Sequence, residues 1–439
     1  MENNGIRDAR SLGVPKMLVL GLQHMFAMFG ATVLVPALTG LSVSATLLFA
    51  GLGTLLFHFL TKGKVPAFLG SSFAFLAGYA AIAPNGEAAL LPYACVGVAC
   101  SALLYLVLAA LVKAFGTHKV MSFFPPIVTG PIIICIGMTL ANSAINNCNG
   151  NWLIALVAIV TVVVFNIWGK GMFKIVPILM GVLVSYALAA VLGQVDFSGV
   201  ANAAWIGLPV AFENTVFSLF GNADGSLLVS AIIAIMPIAL ATMIEHIGDI
   251  CAISSTVGGN FIEYPGLHRT LLGDGLATAL ASLFGAPANT TYGENTGVLA
   301  LTKVYDPAVI RLAAIFAIIA SFCPKFSALV SAMPVGTIGG VSLILYGMIS
   351  AIGVRNLVEN HVDLSKSRNV IIASLIMSLA LGITFSAAGA IKLTLGTVTL
   401  SFSGLAVAAV TGIVVNAILP GKDYEFTNEY SSGKPRSKH

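Results

Sequence analysis

Long apolar segments dominate this sequence of 439 residues. They come in blocks of about 17 to 25 residues, the length that an α-helix needs to cross ~30 Å of hydrocarbon. Only 9% of the residues are charged, against roughly 25% in an ordinary soluble domain, and 58% are hydrophobic. The sequence therefore predicts an all-α polytopic membrane protein. It excludes an ordinary soluble fold and does not show the weak alternation of a membrane β-barrel.

Fourteen apolar segments can be placed, in two sets of seven separated by a polar stretch at residues 194–225. The first set covers 17–39, 44–61, 66–83, 89–113, 124–142, 152–168 and 174–193. The second set covers 226–253, 270–285, 287–303, 309–331, 334–352, 369–387 and 395–419. We therefore predict fourteen membrane spans.

The distribution of basic residues supports this count and predicts an orientation. Lys and Arg collect in cytoplasmic loops, so they should alternate between the two faces if the number of spans is right. With both termini in the cytoplasm, all of the 21 Lys and Arg residues except Lys325 and Lys392 fall on the cytoplasmic side. One missed span would invert every later loop, and the pattern therefore favours fourteen.

The two sets of spans resemble each other weakly. Gln23 in the first span matches Glu245 in the eighth (245 − 23 = 222), and Ser72 in the third matches Glu294 in the tenth (294 − 72 = 222). The run PPIVTGPIIICIGM at 125–138 also resembles PVGTIGGVSLILYGM at 334–348. Because seven is odd, homologous halves must enter the membrane from opposite faces. Such inverted repeats are typical of secondary transporters, which bind substrate where the repeats meet.

Spans three and ten are interrupted by residues that break helices. Span three opens VPAFLGSSFAF and span ten opens GAPANTTYGEN, and each then continues as a short apolar helix. Irregular backbone at membrane depth survives only where protein or a water-filled cavity satisfies its amides. We expect the two extended pieces to pair as short antiparallel strands. Two half-helix N-termini, near Ser72 and Glu294, would then face one cavity and could bind a small polar ligand.

Among the acidic residues, Glu245 and Asp249 lie well inside the eighth predicted span, and Glu294 lies at the break of the tenth. A charged side chain at membrane depth is costly and is therefore a functional hypothesis by default. Glu245 and Asp249 are four residues apart and share one helix face, so one of the two should hold a proton near neutral pH. This is the chemistry of a proton-coupled carrier. Asp274 and Lys325 lie close to predicted span ends, where snorkelling accounts for them.

The histidines and aromatic residues carry weaker signals. His24 and His246 could relay protons, although a lone histidine in a helix bundle is more often a hydrogen-bonded packing residue. Phe73 follows the break of span three and could stack on a planar ligand.

Taken together, several motifs make the chain recognisable. The run ENTGVLALTK at 294–303 is similar to the signature of the nucleobase-ascorbate transporter family, also called nucleobase-cation symporter 2. The runs QHMFAMFGATVLVP, GKVPAFLGSSFAF, EHIGD and NTTYGEN extend the resemblance over residues 15 to 420, and within the family they resemble the bacterial uracil carriers most closely.

This resemblance implies a fold of two inverted seven-span repeats divided into a core domain and a gate domain. The core would comprise residues 17–113 and 226–331, and the gate 124–193 and 334–419. The remaining parts would be a cytoplasmic N-terminus at 1–16, a periplasmic or extracellular loop at 194–225 and a cytoplasmic C-terminal tail at 420–439. It also implies a homodimer, which we expect to form through the gate domain, and the inner membrane of a bacterium as its location.

The resemblance also assigns residues to the site. It places Phe73 against the uracil ring, Glu245 and Glu294 on its polar edge, and the main chain at Phe73 and Gly293 within hydrogen-bond reach. Proton coupling would involve Glu245, Asp249 and Glu294, although Asp249 stands where a histidine is expected in a uracil carrier. The supporting positions are Gln23, His24, Ala31, Ser72, His246, Tyr292 and Asn295.

The expected function is therefore proton-coupled import of uracil by alternating access. Uracil presents alternating N–H donors and carbonyl acceptors, and a protonated carboxyl can both donate to and accept from such an edge. A purine or xanthine carrier of the same family is the alternative, and an anion transporter or channel of related fold is a more distant one. We expect no enzymatic activity, no cofactor besides the coupling proton, no metal and no nucleic-acid partner.

Overall fold

The structure, a computed structural model, describes residues 5–221, 223–395 and 398–421. The helices of the first half are α1 (Val14–Thr39), α2 (Val43–Leu60), α3 (Leu76–Ile82), α4 (Leu91–Phe115), α5 (Thr117–Met121), α6 (Pro126–Cys148), α7 (Trp152–Trp168), α8 (Met172–Ile175), α9 (Pro177–Val191) and α10 (Ser198–Asn202). Those of the second half are α11 (Gly225–Ile235), α12 (Ala239–Val257), α13 (Leu267–Leu283), α14 (Gly293–Thr302), α15 (Pro307–Ser321), α16 (Pro324–Ser331), α17 (Val335–Glu359), α18 (Ser367–Thr384) and α19 (Gly404–Ile418). The strands are β1 (Leu69–Ser71), β2 (Asn289–Thr291), β3 (Ala390–Leu395) and β4 (Val398–Ser403).

Each of the fourteen predicted segments contains at least one of these helices. By length and composition, seven helical segments of the described chain could cross a membrane: α1, α2, α4, α6, the joined α11 and α12, α17 and α18. The pair α15 and α16, bent by 87°, would make an eighth, and several apolar helices are shorter. The protein is thus mostly helical with several membrane-length helices, and the count of fourteen spans stays a prediction.

The helices pack in two sets. In one, α2, α4, α13 and α15 lie against one another, with α1 and α11 at their edges. In the other, α6 lies along α17, with α7, α9, α18 and α19 beside them. Glycine permits the close approach of α6 and α17, since a Cβ at Gly137 would lie 2.2 Å from the Tyr346 carbonyl oxygen and one at Gly353 would lie 2.6 Å from the Ile134 nitrogen.

The last predicted span is wrong at its start. We expected a helix from residue 395, but β3 and β4 form an antiparallel hairpin there, with Ala390 opposite Ser403, and α19 begins only at Gly404. The sequence VTLSFS alternates apolar and hydroxyl residues with the period of two that strands prefer. Ser403 then caps α19, because its hydroxyl accepts a hydrogen bond from the Ala406 amide.

The polar stretch at 194–225 is anchored to the ends of neighbouring helices. Lys325, at the start of α16, donates through its Nζ to the carbonyls of Val200 (2.8 Å) and Ala201 (3.3 Å). These carbonyls belong to α10, so the ammonium group satisfies the end of that helix. Of the predicted tail at 420–439, all but the first two residues lie outside the described residues.

Candidate functional site

Two short strands lie side by side at the centre of the site, and we call this pair the strand crossing. β1 and β2 pair antiparallel, with Gly70 opposite Thr290, which confirms the pairing predicted from the two broken spans. The Ser72 amide donates to the Ala288 carbonyl (2.9 Å) and the Tyr292 amide to the Phe68 carbonyl (3.0 Å), so the pairing continues past both strands. A 3₁₀ turn that leads into α3 begins directly after β1, and α14 directly after β2. The two half-helices therefore begin at opposite ends of one short strand pair.

Side chains from neighbouring helices satisfy the backbone beside the strands. The Leu69 amide donates to Thr54 Oγ1 (2.9 Å), and the Asn289 Nδ2 donates to the Phe49 carbonyl of α2 (2.7 Å). Thr278 on α13 donates to the Asn289 carbonyl (2.9 Å). This is the condition under which extended backbone is stable at membrane depth.

Tyr292 ties the strand crossing to α1. Its hydroxyl donates to the Ser71 carbonyl (2.8 Å) and lies 3.3 Å from Thr32 Oγ1. The ring lies against Gly70, where an added Cβ would be only 2.6 Å from a ring carbon. A glycine is therefore required opposite this tyrosine.

The helix α12 presents two different polar faces. Glu245 and Asp249 are half-buried, as expected for side chains that line a cavity, while His246 is fully buried on another side. The side chain of Glu294, the second residue of α14, lies outside the part that the structure describes, so only its place at the start of that helix is established.

Asp249 lies at the N-terminus of α14. Its Oδ2 accepts a hydrogen bond from Thr291 Oγ1 (3.1 Å), and its Oδ1 is 3.3 Å from where a Cβ on Gly293 would stand. A carboxylate at a helix N-terminus is stabilised by the unpaired amides and the helix dipole. The residue that departs from the expected histidine is thus integrated with β2 and α14.

Asp274 is a buried acidic residue beside β2 whose position the sequence interpretation missed. We placed it near a span end, which is wrong, because α13 begins at Leu267 and puts Asp274 in its middle with no solvent exposure. Its Oδ1 accepts the Thr291 amide (2.9 Å) and lies 3.5 Å from His246 Nδ1. Its Oδ2 has no hydrogen-bond partner among the described residues. Burying a carboxyl group in this way costs free energy of folding, which is unusual unless the residue serves the site.

These groups form a continuous chain from Asp274 to Asp249. His246 Nδ1 lies 3.1 Å from Thr291 Oγ1, and the Thr291 hydroxyl donates its proton to Asp249. Because the hydroxyl has one proton, His246 must donate to it through Nδ1–H, which fixes the imidazole tautomer. His246 Nδ1 thus faces both Thr291, to which it is hydrogen-bonded, and Asp274, while its Nε2 has no hydrogen-bond partner among the described residues.

A second histidine connects α1 with α14. The Asn295 Nδ2 donates to the His24 carbonyl (3.2 Å) and lies 3.2 Å from the His24 Nδ1. Three further expected positions are also buried: Gln23 and Ala31 on α1, and Ser72 directly after β1.

Phe73 contacts an aromatic residue from the other set of helices. Its ring meets that of Tyr346 on α17 edge to face, with centroids 5.8 Å apart, and both side chains are buried. The contact therefore joins the turn that begins a half-helix to α17. Tyr346 was not among the expected site residues, because an apolar span such as 334–352 offers no signal that separates one buried tyrosine from packing.

Comparison with known proteins gives a consistent result. Residues 15–389 match the family model described as "Permease family". The chain is 39% identical over 439 residues to the uracil permease of Bacillus caldolyticus, covering 98% of this chain and 97% of that protein. It is also 39% identical over 411 residues to the uracil permease of Escherichia coli K12, covering 91% of this chain and 90% of that one.

Solved structures share the fold at low sequence identity. The transmembrane domain of a cyanobacterial bicarbonate transporter, BicA, matches with a TM-score of 0.59 at 12% identity, covering 94% of this chain and 99% of that one. Murine Slc26a9, an anion transporter in the inward-facing state, matches with a TM-score of 0.63 at 11% identity, covering 92% of this chain and 68% of that one. At such identities the likeness establishes the fold alone.

Proposed function

Because the chain belongs to the nucleobase-ascorbate transporter family, we propose that it imports uracil together with a proton across the inner membrane of a bacterium. Its full-length relatives are uracil permeases rather than enzymes, which supports the substrate. The observation that carries the mechanism is the pair of half-helix N-termini at the β1–β2 crossing, with the half-buried carboxyls of α12 beside them.

Uracil would lie at these N-termini. The amides of Phe73 and Gly293 begin the two half-helices and suit its carbonyl oxygens, while Glu245 and Glu294 suit its N–H groups. The Phe73 ring, supported edge-on by Tyr346, would cover one face of the pyrimidine. A planar polar ligand fits this combination better than a simple anion does.

Proton coupling would arise on α12. Thr291 and the start of α14 stabilise the charged form of Asp249, so Glu245 is the member of the pair that we expect to take up the proton. A protonated Glu245 can donate to a uracil carbonyl and accept from an adjacent N–H. Leaving a buried partner of that edge unpaired costs about 1–3 kcal/mol, which links binding of the substrate to binding of the proton.

Transport would proceed by rocking of a core domain (17–113 and 226–331) against a gate domain (124–193 and 334–419). The two sets in which the helices pack support this division. The basic residues predict both termini on the cytoplasmic side. Exposed apolar side chains on α7 of the gate, such as Leu156 and Val160, offer a surface for lipid or for a second copy in a homodimer.

The alternatives are a purine or xanthine carrier and an anion carrier of the same fold. Neither is favoured, since the relatives that match nearly end to end are uracil permeases. Competition of labelled uracil uptake by unlabelled uracil but not by xanthine would separate the first alternative. Uptake of bicarbonate that does not change when nucleobases are added would support the anion carrier.

Uracil accumulation should depend on the proton gradient. In proteoliposomes with 100 mV of inward proton driving force, coupling to one proton supplies about 2.3 kcal/mol and allows roughly fiftyfold accumulation. We expect labelled uracil to reach a concentration of this order and to leave when a protonophore is added. Liposomes without protein are the control, and accumulation that survives the protonophore would contradict proton coupling.

Removing the Tyr346 ring should weaken uracil binding. Tyr346→Leu keeps an apolar side chain but loses the edge contact with Phe73, and such aromatic pairs contribute about 0.5–1.5 kcal/mol. We expect the KM for uracil uptake to rise roughly two- to tenfold. Phe59→Leu, at an aromatic position 80% exposed on α2, is the matched control. An unchanged KM in Tyr346→Leu would show that this contact does not support the site.

A further inference from the structure

The N-terminal segment, residues 5–12, is bonded to the residues that follow α14. The Ile6 amide donates to the Lys303 carbonyl (2.8 Å), and the Tyr305 amide donates to the Ile6 carbonyl (2.8 Å). Ile6 and Val304 thereby form a parallel bridge. Ala9, Val304 and Val309 form a small buried cluster beneath it. The segment is therefore a fixed part of the fold and continues directly into α1.

The same segment is bonded to the end of α12. Arg7 donates through Nη2 to the carbonyl of Val257 (2.9 Å), the last residue of that helix. Terminal helix carbonyls have no partner within the helix, and a cation there also interacts favourably with the negative end of the helix dipole. On the far side, the Ala9 amide donates to Asp306 Oδ2 (2.8 Å), the residue that caps α15.

One short segment thus joins the C-terminal ends of α12 and α14. These are the helices that carry Glu245 and Asp249 on one side and Glu294 on the other. Val257 lies eight residues beyond Asp249 and Lys303 nine beyond Glu294, which is roughly 12–14 Å of helix in each case. Because a helix is stiff over this length, a shift at its end moves the acids as well.

We propose that Arg7 is a positioning residue, which holds α12 and α14 in the mutual register that the substrate site requires. The inference rests on the proposed function, since it concerns the geometry of that site. If Arg7 contributed only to stability, its removal would lower the amount of folded protein. The affinity of the folded protein for substrate would not change. The affinity for substrate therefore distinguishes the two roles.

Arg10 provides the matched control. It lies three residues away on the same segment, is exposed and carries the same charge. Arg7→Ala and Arg10→Ala therefore remove equal charge from the same region, but only Arg7→Ala removes the bond to the Val257 carbonyl.

The test is the KM of uracil uptake by purified protein in proteoliposomes at a fixed proton gradient. We expect Arg7→Ala to raise KM roughly three- to tenfold with a maximal rate per transporter within about twofold of the unaltered protein. Arg7→Lys, which keeps a cationic donor, should fall between, and Arg10→Ala should match the unaltered protein. A KM in Arg7→Ala equal to that of Arg10→Ala would overturn the proposal, even if the melting temperature fell. If Arg7→Ala does not insert, Arg7→Lys and Arg7→Gln decide in the same way.

Failure of the proposed function would appear differently, as absence of uracil uptake by the unaltered protein. The positioning role is then judged by hydrogen exchange of peptides that cover residues 303–306 and 250–257. Faster hydrogen exchange of both peptides in Arg7→Ala than in Arg10→Ala supports the proposal that Arg7 holds the ends of α12 and α14 together. Equal exchange in the two variants overturns that proposal.

Discussion

Glu245→Gln should bind and exchange uracil but fail to accumulate it. Gln has the size of Glu and presents an NH₂ donor group beside a carbonyl acceptor, so it imitates the protonated carboxyl that the proposed complex requires. Because the Gln side chain cannot take up or release a proton, proton entry is no longer coupled to uracil entry, and the gradient cannot drive accumulation. We expect accumulation to fall from roughly fiftyfold at 100 mV to about onefold, with exchange of labelled for unlabelled uracil retained.

Proteoliposomes measure both quantities in one preparation. Net uptake is followed under an inward proton gradient, and exchange is followed without a gradient after preloading with uracil. Glu359→Gln is the matched control, because Glu359 is a surface residue whose ion pair with Arg355 (3.3 Å) is 62% exposed and should contribute little. Gradient-driven accumulation by Glu245→Gln at the level of this control would place the coupling proton elsewhere.

The strand crossing could be predicted because its residues contradict their surroundings. Pro66, Gly70 and Ser71 in one apolar run, and Pro287 and Thr290 in another, oppose helix formation where the membrane otherwise demands it. Paired extended segments satisfy both conditions, and β1 and β2 do pair antiparallel. The shared helix face of Glu245 and Asp249 follows in the same way from their spacing.

Asp274 could not be interpreted correctly, because its meaning depends on a helix boundary. Moving the start of α13 from residue 270 to Leu267 changes this residue from a span-end acid to a buried one. The bridge between Ile6 and Val304 was equally hidden, since it consists of main-chain hydrogen bonds that leave no pattern in side chains. Long-range pairing of this kind needs the folded chain.

The shared fold with anion transporters gives the buried acids their significance. Backbone N-termini at a strand crossing can receive an anion or a neutral polar ring equally well. In this chain, the described residues place Asp249 and Asp274 beside β2. The oxygen atoms of these carboxyl groups suit a ligand that brings N–H groups, which is the kind of ligand proposed for this chain.

Asp274→Asn should slow transport far more than it weakens binding. Asn keeps the shape and an oxygen that can accept the Thr291 amide, so β2 stays in place. It removes the carboxyl group that is paired with His246, 3.5 Å away in the native protein. We expect the maximal rate of uracil uptake to fall roughly a hundredfold, while the KM changes less than about threefold. Asp363→Asn, at an exposed loop position, is the control for loss of one carboxylate.

A double-substituted protein tests whether Asp274 acts through His246. If the two residues work as one unit, Asp274→Asn combined with His246→Asn should transport no more slowly than either single variant, because each already removes the same interaction. Losses that multiply would mean separate roles. A nearly normal rate in Asp274→Asn would mean that the buried carboxyl serves the packing of β2 alone, since its hydrogen bond to the Thr291 amide would then be the part that matters.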